Sequence, residues 1–283
     1  MKKLIIQIVR LYTRYFPLQI GKVPVLLFLG KTGLFKGMCL QADTRTGFKM
    51  NLWVEDWVQQ LIYFFGDYKY ERNETASWRK DAVLCKQIVD IGSNVGYFSL
   101  LAASVTTKNT IIIAYEPSPV TFKKLSENIN LNKYENRVVA VQAGLSDQDG
   151  SLDLFISSEE NSGMTSLVRP GNFSGEIVVV KVLNAQKALT LQGISNPDLI
   201  KIDVEGNEMN VIKGLASILE SAKPVIYIEI LDANLKKFNS GADEVYEFLR
   251  NMGYKSFEAS SEGKLTFYDD NRDIGLGIFK FNC

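Results

Sequence analysis

Three sets of residues in this chain have the types and spacing to do chemistry. The first is Asp90-Ile91-Gly92-Ser93-Asn94-Val95-Gly96, where two glycines and an asparagine separate one apolar run from the next. Such a turn lets the backbone approach a ligand closely, and the helix start behind it offers free N–H groups to a carboxylate or phosphate. The second is Glu116, which closes the following apolar run and can accept hydrogen bonds from both hydroxyls of a ribose. The third is the acidic set Asp203, Glu205 and Glu229, able to orient a hydroxyl or take its proton. The 283 residues include no histidine, which excludes a Ser-His-Asp triad, His-ligated zinc or haem, and an imidazole base.

These residues need a frame that brings distant segments to one edge. Segments 87–91, 110–115, 137–142, 199–202 and 224–230 read as short buried strands. Helical patterns separate them: 97–105, then a helix opened by Ser118 as N-cap and Pro119, with Phe122, Leu125 and Ile129 inward, then 210–220. The alternation predicts an α/β fold with a mostly parallel, Rossmann-like sheet, helices on both faces, and ligands beyond the carboxyl ends of the strands. Segments 152–156 and 177–182 read as extra strands around a polar loop, in which 161–166 is either a lid over the pocket or a solvated hairpin end. Segments 254–259, 264–268 and 278–281 read as antiparallel strands closing the sheet. Upstream, residues 4–16 have helical spacing ended by Pro17, 38–52 are strand-like, and 54–65 are helical with Gly66 as the stop. The expected division is an N-terminal extension (1–42), lead-in strands and helix (43–85), and a ligand-binding domain (86–283).

A nicotinamide dinucleotide and S-adenosylmethionine (SAM) both satisfy Glu116, so the turn must discriminate. A dinucleotide fingerprint continues G-x-G-x-x-G, but Asn94 and Tyr97 occupy the second and third glycine positions. D-x-G-x-N-x-G suits the compact methionine zwitterion better than a pyrophosphate, with Asp90 taking the ammonium directly or through water. Four ordered blocks extend the pattern: D-I-G-S-N-V-G-Y-F (90–98), A-Y-E-P-S-P (114–119), N-I-N-L-N (128–132) and I-D-V-E-G-N-E (202–208). With the upstream G-F-K-M-N-L (47–52) and F-G-D-Y-K-Y-E (65–71), the chain resembles the FkbM family of SAM-dependent methyltransferases over roughly residues 43–260. Ser93 stands where that family more often has Ala.

The resemblance implies a class I methyltransferase fold, SAM as cofactor, and methyl transfer to a hydroxyl oxygen of a glycan, glycolipid or polyketide-type natural product. It implies Asp90, Gly92, Asn94 and Gly96 at the methionine end and Glu116 on the ribose. Pro117, Ser118 and the stretch from Gln142 to Asp147 then lie near the adenine, although Asp147 fits equally well as a turn residue in S-D-Q-D-G. In-line methyl transfer gains about 7–11 kcal/mol from proximity and orientation. Removing the hydroxyl proton contributes roughly a further 10²–10⁴-fold. Asp203 is the candidate base, with Glu205 and Glu229 orienting the acceptor. Glu205-Gly206-Asn207-Glu208 also reads as acids capping a helix. A divalent metal between the carboxylates is the less favoured arrangement, since no calcium loop is present. The other activities in view are an NAD-type oxidoreductase and a SAM-binding module without catalysis. Trp53, Trp57, Tyr63, Phe64 and Phe65 are expected in the core rather than stacked on a sugar.

The net charge of zero conceals an asymmetry. Residues 1–42 carry Lys2, Lys3, Arg10, Arg14, Lys22, Lys31 and Lys36 and no acid, leaving −7 on the rest, which opposes a nucleic-acid partner. No apolar run reaches the length of about 18 residues expected of a spanning helix, and no secretory leader pattern is present. Cys39, Cys85 and Cys283 are too scattered for a disulfide framework, which predicts a reducing, cytoplasmic setting. The basic, apolar residues 1–36 are expected either to lie on an anionic membrane or to pack on the body. The sequence carries no signal for oligomeric state.

Overall fold

The computed structural model describes residues 2–16, 21–157, 165–166 and 175–281. The chain enters through α1 (Lys2–Tyr15), α2 (Lys22–Lys31) and an antiparallel pair, β1 (Cys39–Asp43) and β2 (Lys49–Trp53). Two helices, α3 (Trp57–Phe65) and α4 (Arg72–Ala82), lead to β3 (Gln87–Ile91), α5 (Tyr97–Val105), β4 (Ile111–Tyr115), α6 (Pro119–Leu131) and β5 (Val138–Val141). A side excursion follows through β6 (Gly144–Ser146), β7 (Gly150–Ser157), β8 (Thr165–Ser166), β9 (Gly175–Asn184) and α7 (Ala185–Leu191). Alternation resumes with β10 (Leu199–Ile202), α8 (Glu208–Gly214), α9 (Ala216–Ala222) and β11 (Val225–Ile230). The chain ends with α10 (Asp232–Leu235), α11 (Ala242–Asn251), β12 (Tyr254–Ala259), β13 (Leu265–Tyr268) and β14 (Ile274–Phe281).

The main sheet runs β13-β12-β14-β11-β10-β3-β4-β5. Its half from β11 to β5 is parallel, and β14, β12 and β13 are antiparallel. All four residues of β10 are buried, as are four of the five in β3, because helices cover both faces. The strand order reverses at β3, which pairs with β4 on one side and β10 on the other, so a crevice opens at the carboxyl ends of β3 and β10. The extra strands form a second sheet, β6-β9-β7-β8, beside that crevice.

The expected Rossmann-like alternation is present, with local differences. The helix expected over 210–220 breaks at Leu215. There α8 presses on the β6–β7 turn so closely that a Cβ on Gly214 would lie 2.3 Å from the Ser146 carbonyl oxygen. The helix expected over 54–65 starts at Trp57, because Asp56 accepts from the Gln59 N–H at 2.9 Å as its N-cap. The lid-or-hairpin segment 161–166 lies outside the described residues except for the backbone of β8, as do Pro17 and Cys283.

Each face of the sheet has its own apolar core. One joins Val89, Ile91, Ile200, Ile212, Tyr246 and Phe279. The other joins Ile88, Leu101 and Ile112 to Ile6, Leu26, Phe48, Phe64 and Trp78, so the first 85 residues share a core with the sheet. Two asparagines one helical turn apart, Asn128 on α6 and Asn132 as its C-cap, fasten this lead-in. Asn128 accepts from the Asn51 N–H at 2.7 Å and donates to the Val95 carbonyl at 3.0 Å. Asn132 accepts from the Lys49 N–H at 2.8 Å and donates to the Lys49 carbonyl at 2.7 Å. Further out, α1 rests on α3. Thr13 donates to the Phe64 carbonyl at 2.6 Å, Arg14 donates to the Tyr63 carbonyl at 3.1 Å, and the Arg10 guanidinium lies 4.6 Å from the Tyr63 ring centroid.

Candidate active site

The turn after β3 is built from three left-handed residues, Gly92 (φ +77°), Asn94 (φ +50°) and Gly96 (φ +93°). The N–H groups of Gly92 and Ser93 both donate to the Tyr115 carbonyl at 2.9 Å, which pins the turn to the end of β4. Gly92 admits no side chain, since a Cβ there would sit 1.7 Å from the Asp203 carbonyl oxygen. The turn after β3 and the turn after β10 are therefore in backbone contact.

Glu116 follows β4 and is only 7% exposed. Its Oε2 accepts from the Asn94 N–H at 3.0 Å and its Oε1 from the Ser118 N–H at 2.9 Å. Each oxygen keeps a second acceptor position for a ligand hydroxyl. Burial raises this carboxyl to about 7 against the opposing pull of the two N–H donors.

Across the crevice, Lys201 and Asp203 lie two residues apart on one side of the chain leaving β10, with Lys201 Nζ 2.7 Å from Asp203 Oδ2. Lys201 is almost fully buried beside the Phe98 ring, and burial works against its charge. Asp203, Asp90 and Glu71 together more than offset that and hold it protonated. Glu205 is held in a left-handed conformation at φ +57° and receives the Asn234 amide at 3.3 Å. Glu229 on β11 and Glu71 at the start of α4 each have one buried carboxyl oxygen with no hydrogen-bond partner among the described residues. Burial pushes Glu71 up to about 8, with Lys201 opposing. Burial and the charges of Asp203, Glu205 and Glu208 push Glu229 upward too.

These groups line one cavity of about 200 Å³. One wall presents Gly92, Ser93, Asn94, Glu116 and Pro117; the far end presents Lys201, Asp203, Glu205, Glu229, Glu71 and Tyr68. An apolar part of the lining is formed by Ala143, Leu145, Leu152 and Val182, and α3 contributes Val58, Gln59 and Ile62. Among the described residues no group of three or more acidic or cysteine side chains is arranged to hold a metal ion.

Five expected cofactor contacts fall off this wall. Asp90 is fully buried behind the turn, where Ser99 donates to it and it faces Lys201 across the β3–β10 pairing. Gly96 faces α6, not the cavity; a Cβ there would lie 2.7 Å from Leu125 Cδ1. Ser118 caps α6 and reaches the site only through the N–H it gives to Glu116. Gln142 and Asp147 are exposed, because the chain leaves β5 to pair β6 with β9 and carries them out to the side sheet. Ala143, Gly144 and Leu145 take that part of the wall. Glu208 caps its own loop, accepting from the N–H groups of Val204 at 2.9 Å and Gly206 at 3.2 Å. Tyr63, Phe64 and Phe65 are buried in the core, and Trp53 lies under Lys124.

Sequence reasoning missed Lys201, Glu71 and Tyr68. A lysine inside the buried run Leu-Ile-Lys-Ile is the signal that was available for Lys201, since an unpaired charge is not tolerated there. Glu71 and Tyr68 stand in F-G-D-Y-K-Y-E, a block whose partners on β10 cannot be read from spacing.

The family model described as the Methyltransferase FkbM domain matches residues 90–256. The hexuronic acid methyltransferase AglP of Haloferax volcanii is 27% identical over 137 residues, 48% of this chain and 53% of that protein. Methyltransferase sdnD of Sordaria araneosa is 33% identical over 155 residues, 45% of this chain and 60% of that protein. The chain thus spans little more than half the length of these curated relatives. A crystal structure of methyltransferase FkbM from Methylobacillus flagellatus aligns over 92% of this chain and 58% of its own, at 14% identity and a TM-score of 0.47.

Proposed function

Because the chain belongs to the FkbM family of methyltransferases, we propose that it transfers the methyl group of SAM to a hydroxyl of a glycan, glycolipid or related natural product. The observation that carries this reading is the meeting, in one cavity, of the Gly92–Asn94 turn, the buried acceptor Glu116 and the acids Asp203, Glu205 and Glu229. The residues fit SAM. Glu116 has acceptor capacity left for a ribose diol, the lining by Pro117, Ala143, Leu145 and Val182 is apolar enough for an adenine, and the orphaned Glu71 oxygen suits an ammonium group. In this reading Glu71 takes the role expected of Asp90. When bound, SAM supplies an electrophilic methyl group on a sulfonium centre.

The chain's own residues do the rest. Lys201 holds Asp203 Oδ2 in place at the acceptor end, where the other carboxyl oxygen can receive the hydroxyl proton. Glu205 and Glu229 orient the acceptor by accepting or donating hydrogen bonds, and Val58, Ile62 and Tyr68 exclude water. The name of the Haloferax relative supports a sugar-type acceptor. Family membership speaks against the dinucleotide oxidoreductase. Calorimetry with SAM, S-adenosylhomocysteine and NAD tests the cofactor, and micromolar NAD binding with none of SAM would overturn it. Transfer of labelled methyl from SAM to a panel of uronic acids, glycolipids and polyketides tests the acceptor. No transfer to any member by an enzyme that binds SAM would favour a non-catalytic module.

A further inference from the structure

α1 is apolar on two opposite faces. Ile6, Val9 and Thr13 turn toward the body, with Ile6 and Thr13 buried. The other face carries Leu4, Ile8, Leu11 and Tyr15, which are 61%, 57%, 60% and 74% exposed. Their spacing of four, three and four residues makes one continuous stripe. The next helix leaves Leu27 and Phe28 exposed as well. A stripe of large apolar side chains in water is costly and marks an interaction surface.

The charges identify the partner. Three of the seven N-terminal cations serve the fold: Arg10 lies on the Tyr63 ring, Arg14 donates to the Asp43 and Tyr63 carbonyls, and Lys22 donates to the Phe16 carbonyl. Lys2, Lys3 and Lys31 stand exposed on α1 and α2, and no acid occurs in residues 1–42. A second copy docked through the same two helices would offer these lysines no acid from residues 1–42. An anionic bilayer satisfies both the stripe and the lysines. Among the described residues no helix is long and apolar enough to cross a membrane, so the contact is interfacial.

We propose that the Leu4–Ile8–Leu11–Tyr15 face of α1 docks the protein on anionic lipid surfaces. Each exposed lysine near such a surface adds on the order of fivefold to partitioning, and salt screens it. The inference rests on α1 and α2 and not on the methyl-transfer reading.

Vesicle flotation of the full chain tests it, using phosphatidylcholine vesicles with and without phosphatidylglycerol at low and high salt. Wild type is expected to float with the anionic vesicles at low salt and to be released by high salt. Leu4→Gln/Leu11→Gln and Lys2→Gln/Lys3→Gln should each lower partitioning by roughly tenfold or more. Leu84→Gln, at an exposed leucine outside the two helices, should leave it unchanged. All these positions are exposed, so unchanged melting temperature and SAM affinity confirm that each variant is folded. Three results would overturn the proposal: no flotation of wild type at low salt, equal flotation on neutral vesicles, or a lipid-free dimer that Leu4→Gln/Leu11→Gln dissociates.

Discussion

Lys201 Nζ and Asp203 Oδ2 are 2.7 Å apart, and the lysine is the more deeply buried of the two. The pair therefore points outward: the cation is enclosed among Asp90, Asp203 and Glu71, while Asp203 faces the cavity. One buried cation balances a wall of carboxylates.

Lys201→Met removes that cation and leaves the acids facing one another. Breaking a buried pair from one side costs about 3–5 kcal/mol. Urea unfolding is expected to show a loss of this order. A loss below about 1 kcal/mol, the value of an exposed ion pair, would mean that the acids do not depend on Lys201.

Asp203→Asn keeps the shape of the site and removes the acceptor of the hydroxyl proton. SAM affinity is expected to stay within a few-fold while turnover falls roughly 10²–10⁴-fold. Normal turnover would take Asp203 out of the base role and leave Glu205 or Glu229 to be tested.

Glu116→Gln replaces a carboxylate with an amide that cannot accept at both oxygens. One of the N–H groups of Asn94 and Ser118 also loses its acceptor. A loss of about 1.5–3 kcal/mol is expected for hydrogen bonds to a charged group, which is more than tenfold in Kd by calorimetry. Unchanged affinity in a folded variant would move the ribose elsewhere.

The buried carboxyls give stability a defined pH trend. Glu71 is raised from 4.5 to about 8, and Glu116 and Glu208 from 4.5 to about 7. Between those limits the folded chain holds protons that the unfolded chain has lost, so stability from these groups is full below pH 4.5 and declines as pH rises through 7 and 8. Melting temperature of the ligand-free protein is expected to fall from about pH 6 to pH 9. An ammonium bound beside Glu71 should expel its proton, so calorimetry at pH near 7 in buffers of unlike ionisation heat should show proton release with SAM. Glu71→Gln should lose that release and bind more weakly. Identical heats in both buffers for wild type would assign the ammonium to another group.

What could be read in advance follows from how far each signal reaches along the chain. β3, β4, β10 and β11 were legible because strands buried on both faces are short apolar runs, and Ser118-Pro119 announced α6 through local capping chemistry. α4 was not, since Arg72–Ala82 is mostly polar and acquires its buried face only when Trp78 meets Phe98 and Tyr227. Gly92 and Glu116, which line the cavity, could be singled out because a turn and a strand end are local features. Asp147 lies off the cavity because β6 pairs with β9, which nothing local reveals, and Lys201 escaped notice because two of its counter-charges, Asp90 and Glu71, come from distant segments.

The asparagines of α6 and its C-cap set an order of assembly. The N–H groups of Asn51 and Lys49 find their side-chain acceptors 77 and 83 residues later in the chain, on a helix and its C-cap that must already exist to present Asn128 and Asn132 one turn apart. During synthesis the lead-in strand emerges long before its clamp. It must wait, with two backbone donors left to water, until α6 has left the ribosome and settled against β5. Time of emergence and time of docking run in opposite directions here, and a nascent chain halted before residue 128 exposes the apolar side of β2 to whatever binds unfolded protein.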